Sequence, residues 1–502
     1  MTAPHRTNQQ PACAAVSLAA LTAGLPTPWR VDRTALAAEI AAGRRLVILD
    51  DDPTGTQTIA DLPVLTSWSI ADLRWALQQS TSAFFVLTNT RSLSGAEAAQ
   101  RNRDIARTLL AAAELEGVEC VLVSRGDSTL RGHYPLETDV LTEELLRSGI
   151  AIDGVVIVPA YIEAGRLTID SVHWMQTPAG MIPVADSEFA KDASFSYHHS
   201  DLREWVQEMT SGRIPAASVA TITLTDIREG GPSRVRKILE ALSNAQTVVV
   251  DALTDDDLQV LASALVGAEA GGKHFLYRTG PSFVRARAGQ AAQPPLQGER
   301  LRQILDAAGP VTDTGGRRIE SRRGVIVVGS HVGLTSRQLD ELRRRGQIAE
   351  IELDVPTLLD PAQRDEHVRA IGARAVQLLG DPDRTADVVI RTSRALVTGS
   401  DAQHSLAIAR AVSDALVATV QHIVAAIRPA FVVAKGGITS SDTATAGLSI
   451  TRAWARGTLL PGIVSLWEPV SGPAQGIPFV VFAGNVGDDQ ALADVVSTLR
   501  ER

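Results

Sequence analysis

Three aspartates in a row, Asp50, Asp51 and Asp52, end the apolar run RLVILD and open the turn PTGTQT. Adjacent carboxylates at a strand end repel one another, so at least one retains its proton unless cations or hydrogen bonds compensate. Such a cluster suits a base, a metal ligand or a binder of sugar hydroxyls; the structural alternative is an Asp-rich turn that only caps a helix. The segment SRGDSTLRGHYPLE then gathers Arg125, Asp127, Ser128, Thr129 and Arg131 in one loop. Arg131 has the planar fork that grips a carboxylate, and Asp127 with the hydroxyls can hold polyol oxygens. FFVLT runs into NTRSLS and brings Asn89, Thr90 and Arg91 to the same edge. These residue types make a site for an acid that bears hydroxyl groups, although Arg91 with Asp51, or Arg131 with Asp127, could equally be plain ion pairs.

The C-terminal half repeats a different device. GVIVVGSHVGLTSRQLDEL, FVVAKGGITSSDTAT and FVVFAGNVGDDQALADVV each read as strand, glycine-containing turn and helix. Amides at a helix N-terminus hold phosphate oxygens, so three such turns on one sheet converge on a polyphosphate ligand. Thr335 and Gln338 have the spacing of a capping box, and Thr439, Ser440 or Ser441 are available as caps. Lys435, next to Gly436, is the expected phosphate partner, with a merely solvated lysine as the bland counterpart. GAEAGGKH has P-loop spacing at Gly267, Gly272 and Lys273, but it ends a helix and precedes a strand and is set aside.

These side chains need strands to aim them. Short β-branched runs alternate with long helical patterns, which predicts two α/β domains, each a mainly parallel sheet flanked by helices. Strands are expected at 46–49, 83–87, 120–123, 154–158, 247–250 and 274–277, then at 324–328, 349–353, 387–390, 431–434 and 479–482. Helical periodicity covers 94–115 and 135–146. Strand character is lost over GPSFVRARAGQAAQPPLQG, so the chain divides into an extension (1–40), a first domain (41–285), a linker (286–320) and a second domain (321–502). Ligands of such sheets bind beyond the strands' carboxyl ends, and the active site is expected in the interdomain cleft.

With 502 residues, 45% of them apolar, the chain has material for two well-buried domains. A formal charge of −9 argues against nucleic acid or an anionic membrane as partner. The two cysteines, Cys13 and Cys120, lie far apart and outside any metal-ligand spacing, which fits a reducing, cytoplasmic setting. Residues 13–25 are weakly signal-peptide-like, and no apolar run approaches the roughly 20 residues that span a bilayer.

DDDPTGT, GDSTLRG, the GS turn, the KGG turn and GNVGD together resemble the four-carbon acid sugar kinases, from Asp50 to Asp488. The resemblance implies an N-terminal sugar-acid-binding domain, a C-terminal nucleotide-binding domain, ATP with Mg²⁺, and phosphorylation of a tetronate or oxo-tetronate hydroxyl. Its substrate motifs fall on Asp51, Asp52, Thr54 and Gly55, and on Asp127, Ser128, Thr129 and Arg131. Its nucleotide motifs fall on Ser330, on Gly436, Gly437, Ile438 and Thr439, and on Gly484 and Asn485. Asp51 or Asp52 is the expected base, Arg91 and Arg131 the expected anchors of the acid, and the ligands of the cation stay unassigned. The family's Gly-Gly-Asp-Thr run is Gly436-Gly437-Ile438-Thr439 here, which leaves Asp442 to supply the acidic group. The lysine before the family's Asp-Ser-Thr run is displaced by Ser124, Arg125 and Gly126, and the chain is longer at its N-terminus and around 161–197. A homodimer is compatible with this reading. Two rivals remain: a haloacid-dehalogenase-like phosphatase using Asp50, Asp52 and Thr54, and a non-catalytic sugar-acid sensor.

Overall fold

The computed structural model describes residues 15–306, 319–330, 332–393 and 402–501. Cys13, the first part of the expected extension and residues 307–318 of the expected linker lie outside the described residues. The β-branched runs become strands buried along their length, as happens where helices cover both faces of a parallel sheet. Their N-terminal members are β1 (Arg45–Asp50), β2 (Leu62–Leu65), β3 (Ala83–Leu87) and β4 (Cys120–Arg125). The middle of the chain adds β5 (Gly154–Val158), β6 (Arg166–Ile169), β7 (Val172–Thr177), β8 (Gly180–Pro183), β9 (Ala220–Ile222), β10 (Gln246–Val250) and β11 (Phe275–Thr279). After two-residue Ile319–Glu320 come β12 (Val325–Val328), β13 (Ile348–Leu353), β14 (Asp387–Thr392), β15 (Val432–Lys435), β16 (Arg452–Leu460), β17 (Ile463–Pro469) and β18 (Phe479–Phe482).

Two compact units form, and they interleave along the chain: Met1–Glu39 with Gly126–Arg287, and Ile40–Arg125 with Ala288–Arg502. The first contains the parallel strands β11-β5-β10-β9 and a separate antiparallel sheet β6-β7-β8. Its core includes Tyr134 stacked on Trp205 with ring centroids 4.6 Å apart. In the second, the strand order is β13-β14-β12-β15-β18-β17-β16-β2-β3-β1-β4. Pairing is parallel except where β16 meets β2 and β17, and where β17 meets β18. Each strand expected from the sequence is present within one or two residues. The antiparallel β16–β17 hairpin was not expected, because ARGTLL and IVSLWEP carry no turn dipeptide stronger than Pro461-Gly462 between them.

Helix Gly95–Glu116 starts at a capping box between Ser94 and Glu97 and stops at Gly117, whose φ of +64° suits glycine. The capping box expected from Thr335 and Gln338 does not form; helix Gly333–Arg345 has Val332 at its N-cap, and those two side chains bond elsewhere. Helix Ala402–Ala426 corrects one expectation: its stretch Ala407–Ala426 is long and apolar enough to cross a membrane by length and composition. Within the unit it buries Ala415, Leu416, Val420, Ile423 and Val424 along one face, while other positions of the stretch are half-buried or exposed.

The turn after β1 is clamped to the hairpin. Trp467 Nε1 donates to Thr56 Oγ1 at 3.0 Å, and Thr56 Oγ1 donates to Ser465 Oγ at 3.0 Å, all inside the core. Thr56→Val keeps the shape but strands the indole N–H, so the unfolding free energy in urea should fall by about 1–3 kcal/mol; no change would show that the clamp carries no stability.

Candidate active site

The carboxyl ends of β1, β3 and β4 lie side by side because register pairs Asp50 with both Leu87 and Arg125. Arg125 Nη1 lies 3.0 Å from Asp50 Oδ1 and 3.5 Å from Asp51 Oδ1. Arg91, on the turn after β3, grips Asp51 with both prongs, Nη2 to Oδ1 at 2.8 Å and Nε to Oδ2 at 3.1 Å, and reaches Asp52 at 3.5 Å. A side chain at Gly55 would collide with the Asp50 carboxylate, so glycine lets the turn close over that charge.

The three aspartates are not equivalent. Burial, opposed by Arg125 and reinforced by Asp51 and Asp52, pushes the Asp50 carboxyl up to about 7. Asp52 is partly exposed, with Oδ1 accepting the Thr54 amide at 2.7 Å. Burial pushes it up too, but Arg91, Arg125 and the hydrogen bonds from Thr54 outweigh that and hold it below the usual carboxylate range. Asp51 is buried and committed to Arg91.

Within the same unit, Asp51, Asp52, Pro53, Asn89, Arg91 and Ser92 share a pocket of about 140 Å³ with Gly437, Ile438, Ser441 and Asp442. Asn89 Nδ2 donates to Ser441 Oγ across it. A Cβ at Gly437 would stand 3.3 Å from Asp52 Oδ2, so backbone and carboxylate meet with little room between them. Asp442 is hydrogen-bonded by Ser413 and raised from its ordinary value by burial.

The three glycine turns also meet. A Cβ at Gly436, where φ is +127°, would lie 2.9 Å from Thr439 Oγ1 and 3.3 Å from the Ser330 Cβ; one at Gly484 would lie 2.7 Å from Ser330 Oγ. Thr335 Oγ1 donates to the Gly484 carbonyl at 3.1 Å and lies 3.2 Å from Ser330 Oγ, and Gln338 Nε2 donates to the carbonyls of Val486 and Asp488. Thr335 and Gln338 are therefore staples between turns. Their spacing suits a capping box, but Val332 takes the N-cap and the turn of Gly484 to Asp488 lies within reach of both side chains. Of the expected caps, Ser440 donates to the Ala434 carbonyl and Ser441 faces Asn89. Ile438 and Asn485 are exposed, while Thr439 is buried.

Lys435 is placed differently from the expectation. It is fully buried, donates to the Ala483 carbonyl at 2.7 Å and lies 3.7 Å from the Phe482 ring centre, and burial lowers its pKa to about 7. Its strand direction turns it into the core rather than toward the glycines that follow it.

In the other unit, the GDSTLRG loop is self-bonded. Arg131 Nε donates to Asp127 Oδ2 at 2.7 Å and to Thr129 Oγ1 at 3.3 Å, and Thr129 Oγ1 donates to Asp127. Ser128 is buried and offers its carbonyl to His173 Nε2 at 2.8 Å.

Two family models match the chain: a sugar-binding N-terminal domain over residues 46–287 and a nucleotide-binding C-terminal domain over 325–492. The chain belongs to the four-carbon acid sugar kinase family. It is 27% identical over 471 residues to the D-threonate kinase of Bordetella bronchiseptica, covering 92% of this chain and 98% of that protein. It is 24% identical over 344 residues to the D-erythronate kinase of Heliobacterium modesticaldum, covering 67% and 69%. Among solved structures it is similar to a Salmonella typhimurium LT2 protein provisionally described as a tRNA synthase (TM-score 0.61, 19% identity, 90% and 98% covered). A Haemophilus influenzae protein, HI1011, gives a TM-score of 0.57 at 18% identity, with 90% and 100% covered. The structural likenesses bear on the fold alone. As a family member this kinase is a phosphotransferase with an alcohol group as acceptor. The phosphatase rival needs Asp50 as an accessible nucleophile, and Asp50 is 2% exposed and held by Arg125.

Asp50 yields a pH prediction. An unfolded aspartic acid loses its proton near pH 3.9, whereas folded Asp50 keeps it to about 7. Between those values the folded state binds more protons, so this group's contribution to stability falls as pH rises through the window and is flat above it. Asp50→Asn does not titrate. Its thermal midpoint relative to wild type should therefore rise from pH 5 to pH 8; a constant difference would contradict the buried, high-pKa carboxyl.

Proposed function

We propose that this kinase transfers the terminal phosphate of ATP to a hydroxyl of a four-carbon sugar acid, a tetronate or oxo-tetronate, in the cytoplasm. The reading is supported by the names of its relatives and by one observation above all: Asp52, the least enclosed of the three aspartates, shares a pocket with the Gly437 turn.

In this reading the Asp52 carboxylate accepts the proton of the attacking hydroxyl. Its low pKa keeps it ionised at neutral pH, and phosphoryl transfer asks little of a base beyond position. Asp51 holds the Arg91 fork, which leaves Arg91 at the pocket as a fixed positive charge. The close approach of Gly436, Gly484, Thr439 and Ser330 fits a cradle for phosphates, where a side chain would fill the space. Mg²⁺ is usually held by one or two carboxylates together with phosphate oxygens. Asp442 is the pocket's candidate, and the ion would neutralise charge on the transferring group. Recognition of the acid is assigned to the GDSTLRG loop, with Arg131 for its carboxylate and Asp127 and Thr129 for its hydroxyls. Lys435 has no part in this assignment.

ADP release on adding D-erythronate or D-threonate tests the activity, and its absence with every tetronate and oxo-tetronate would end the proposal. Asp52→Asn should lower kcat by about 10²–10⁴-fold while the KM for ATP stays within about twofold. Gly436→Ala should do the opposite, raising the KM for ATP through strain at a positive φ and a filled cradle. Equal losses of both parameters in both variants would remove the division of roles.

A further inference from the structure

The stretch from residue 161 to 197 closes around the GDSTLRG loop. His173 Nε2 on β7 donates to the Ser128 carbonyl at 2.8 Å, with its other nitrogen on Thr168 Oγ1 at 2.9 Å. Tyr197 Oη donates to the Thr129 carbonyl at 2.7 Å. Phe189 lies under the Arg131 guanidinium at 4.8 Å, and Asp192 reaches Arg131 Nη1 at 3.5 Å. Four side chains from one stretch thus fix both the backbone of the loop and the fork of Arg131. None of them adds a positive charge.

Arg166 does. It begins β6, in the antiparallel bridge with Tyr161, and is half-buried. Its Nη1 donates to the Ala164 carbonyl at 2.7 Å, its Nε is enclosed with no partner, and no carboxylate among the described residues lies within ion-pair distance of it. Asp127 and Arg131 are its charged neighbours, together with the Tyr161 hydroxyl, and burial lowers its pKa. Other buried arginines of the same unit are matched: Arg278 by Glu137, Arg228 by Asp257, Arg285 by Glu163 and Asp255, and Arg287 by Glu269. A guanidinium taken partly out of water without an anion is costly, and such groups gather at sites where the anion is a ligand.

We propose that Arg166 is a specificity-determining residue of this kinase, a second guanidinium for the carboxylate of the acid beside the Asp127–Arg131 loop. The proposal rests on the assignment of acid recognition to that loop. Arg131 is engaged by Asp127 and Asp192, so a substrate carboxylate that meets Arg131 alone meets a charge already two-fold countered. Arg166 offsets that excess of negative charge and distinguishes an acid from a polyol with the same hydroxyls.

The test compares the full-length wild type, Arg166→Gln and Arg166→Lys in ADP release with D-erythronate and D-threonate against the neutral polyols erythritol and threitol. Loss of one charge-assisted contact should raise the KM for the acids by about tenfold or more in Arg166→Gln, with kcat and the KM for ATP within about twofold. The acid-to-polyol ratio of kcat/KM should fall by a similar factor, and Arg166→Lys should recover part of it. A merely structural arginine would depress acids and polyols alike. An unchanged ratio in both variants, with active wild type, overturns the role of Arg166; a wild type silent with every acid overturns the kinase reading instead. Where Arg166→Gln does not fold, the ratio in Arg166→Lys decides, and an undiminished ratio there counts against the proposal.

Discussion

Carboxylates taken out of water need cations at fixed places, and that requirement governs the end of β1. Asp50 and Asp51 are 2% and 3% exposed, and Arg125 is 4% exposed. Each such charge costs several kcal/mol to desolvate, so a buried group without its partner would change its protonation or unfold the turn. The partners come from neighbouring strands, and parallel register sets their level: Arg125 is the last residue of β4 and pairs directly with Asp50. Arg91 reaches Asp51 because the chain leaves β3 through Asn89, in a left-handed conformation at φ +52° that asparagine tolerates. Gly55 completes the arrangement by leaving room for the Asp50 carboxylate.

The same constraint shapes the sheet. Three antiparallel steps separate β1 from β15, so their chain directions are opposed, and a flat sheet would send their carboxyl ends to opposite edges. Yet the turn after β1 reaches the turn after β15. Twist accumulates strand by strand, and the bulge in β16 between Ala455 and Gly457 adds bend at the middle of the order. The Trp467–Thr56–Ser465 chain then secures the turn to the hairpin that makes this possible.

Much of this was legible in the residues. Parallel strands announce themselves as β-branched runs because both their faces are buried, and the Asp and Gly turns follow them in sequence by a few residues. The hairpin β16–β17, the antiparallel strands β6, β7 and β8 and the short strands β2 and β9 were not legible, since ARGTLL mixes polar and apolar residues without a sharp period, LPVL carries a proline and ATI is only three residues long. Side-chain direction was the other gap. Lys435 and Gly436 are adjacent, but alternation along a strand sends one into the core while the turn opens at the next. Asn89, Ser441 and Asp442 each carried a separate signal, an edge residue, a cap and an acidic group, but their meeting in one pocket was not legible, because it depends on the bend of the sheet rather than on spacing.

Environment divides labour among residues of one type. Asp50, sealed by Gly55, is pushed toward the neutral form and packs against Arg125. Asp51 spends both oxygens on Arg91. Asp52 spends one oxygen on the Thr54 amide and turns the other toward Gly437, where neighbouring arginines keep it ionised. Three adjacent carboxylates with identical intrinsic chemistry thereby become a structural acid, a positioning group and the proposed proton acceptor, as pairs of carboxyl groups do wherever surroundings push their pKa values apart. Exchanging the positions would leave the charge count intact and the proposed acceptor misplaced, since the third carboxylate alone of the three is partly exposed while Asp50 and Asp51 are buried against their arginines.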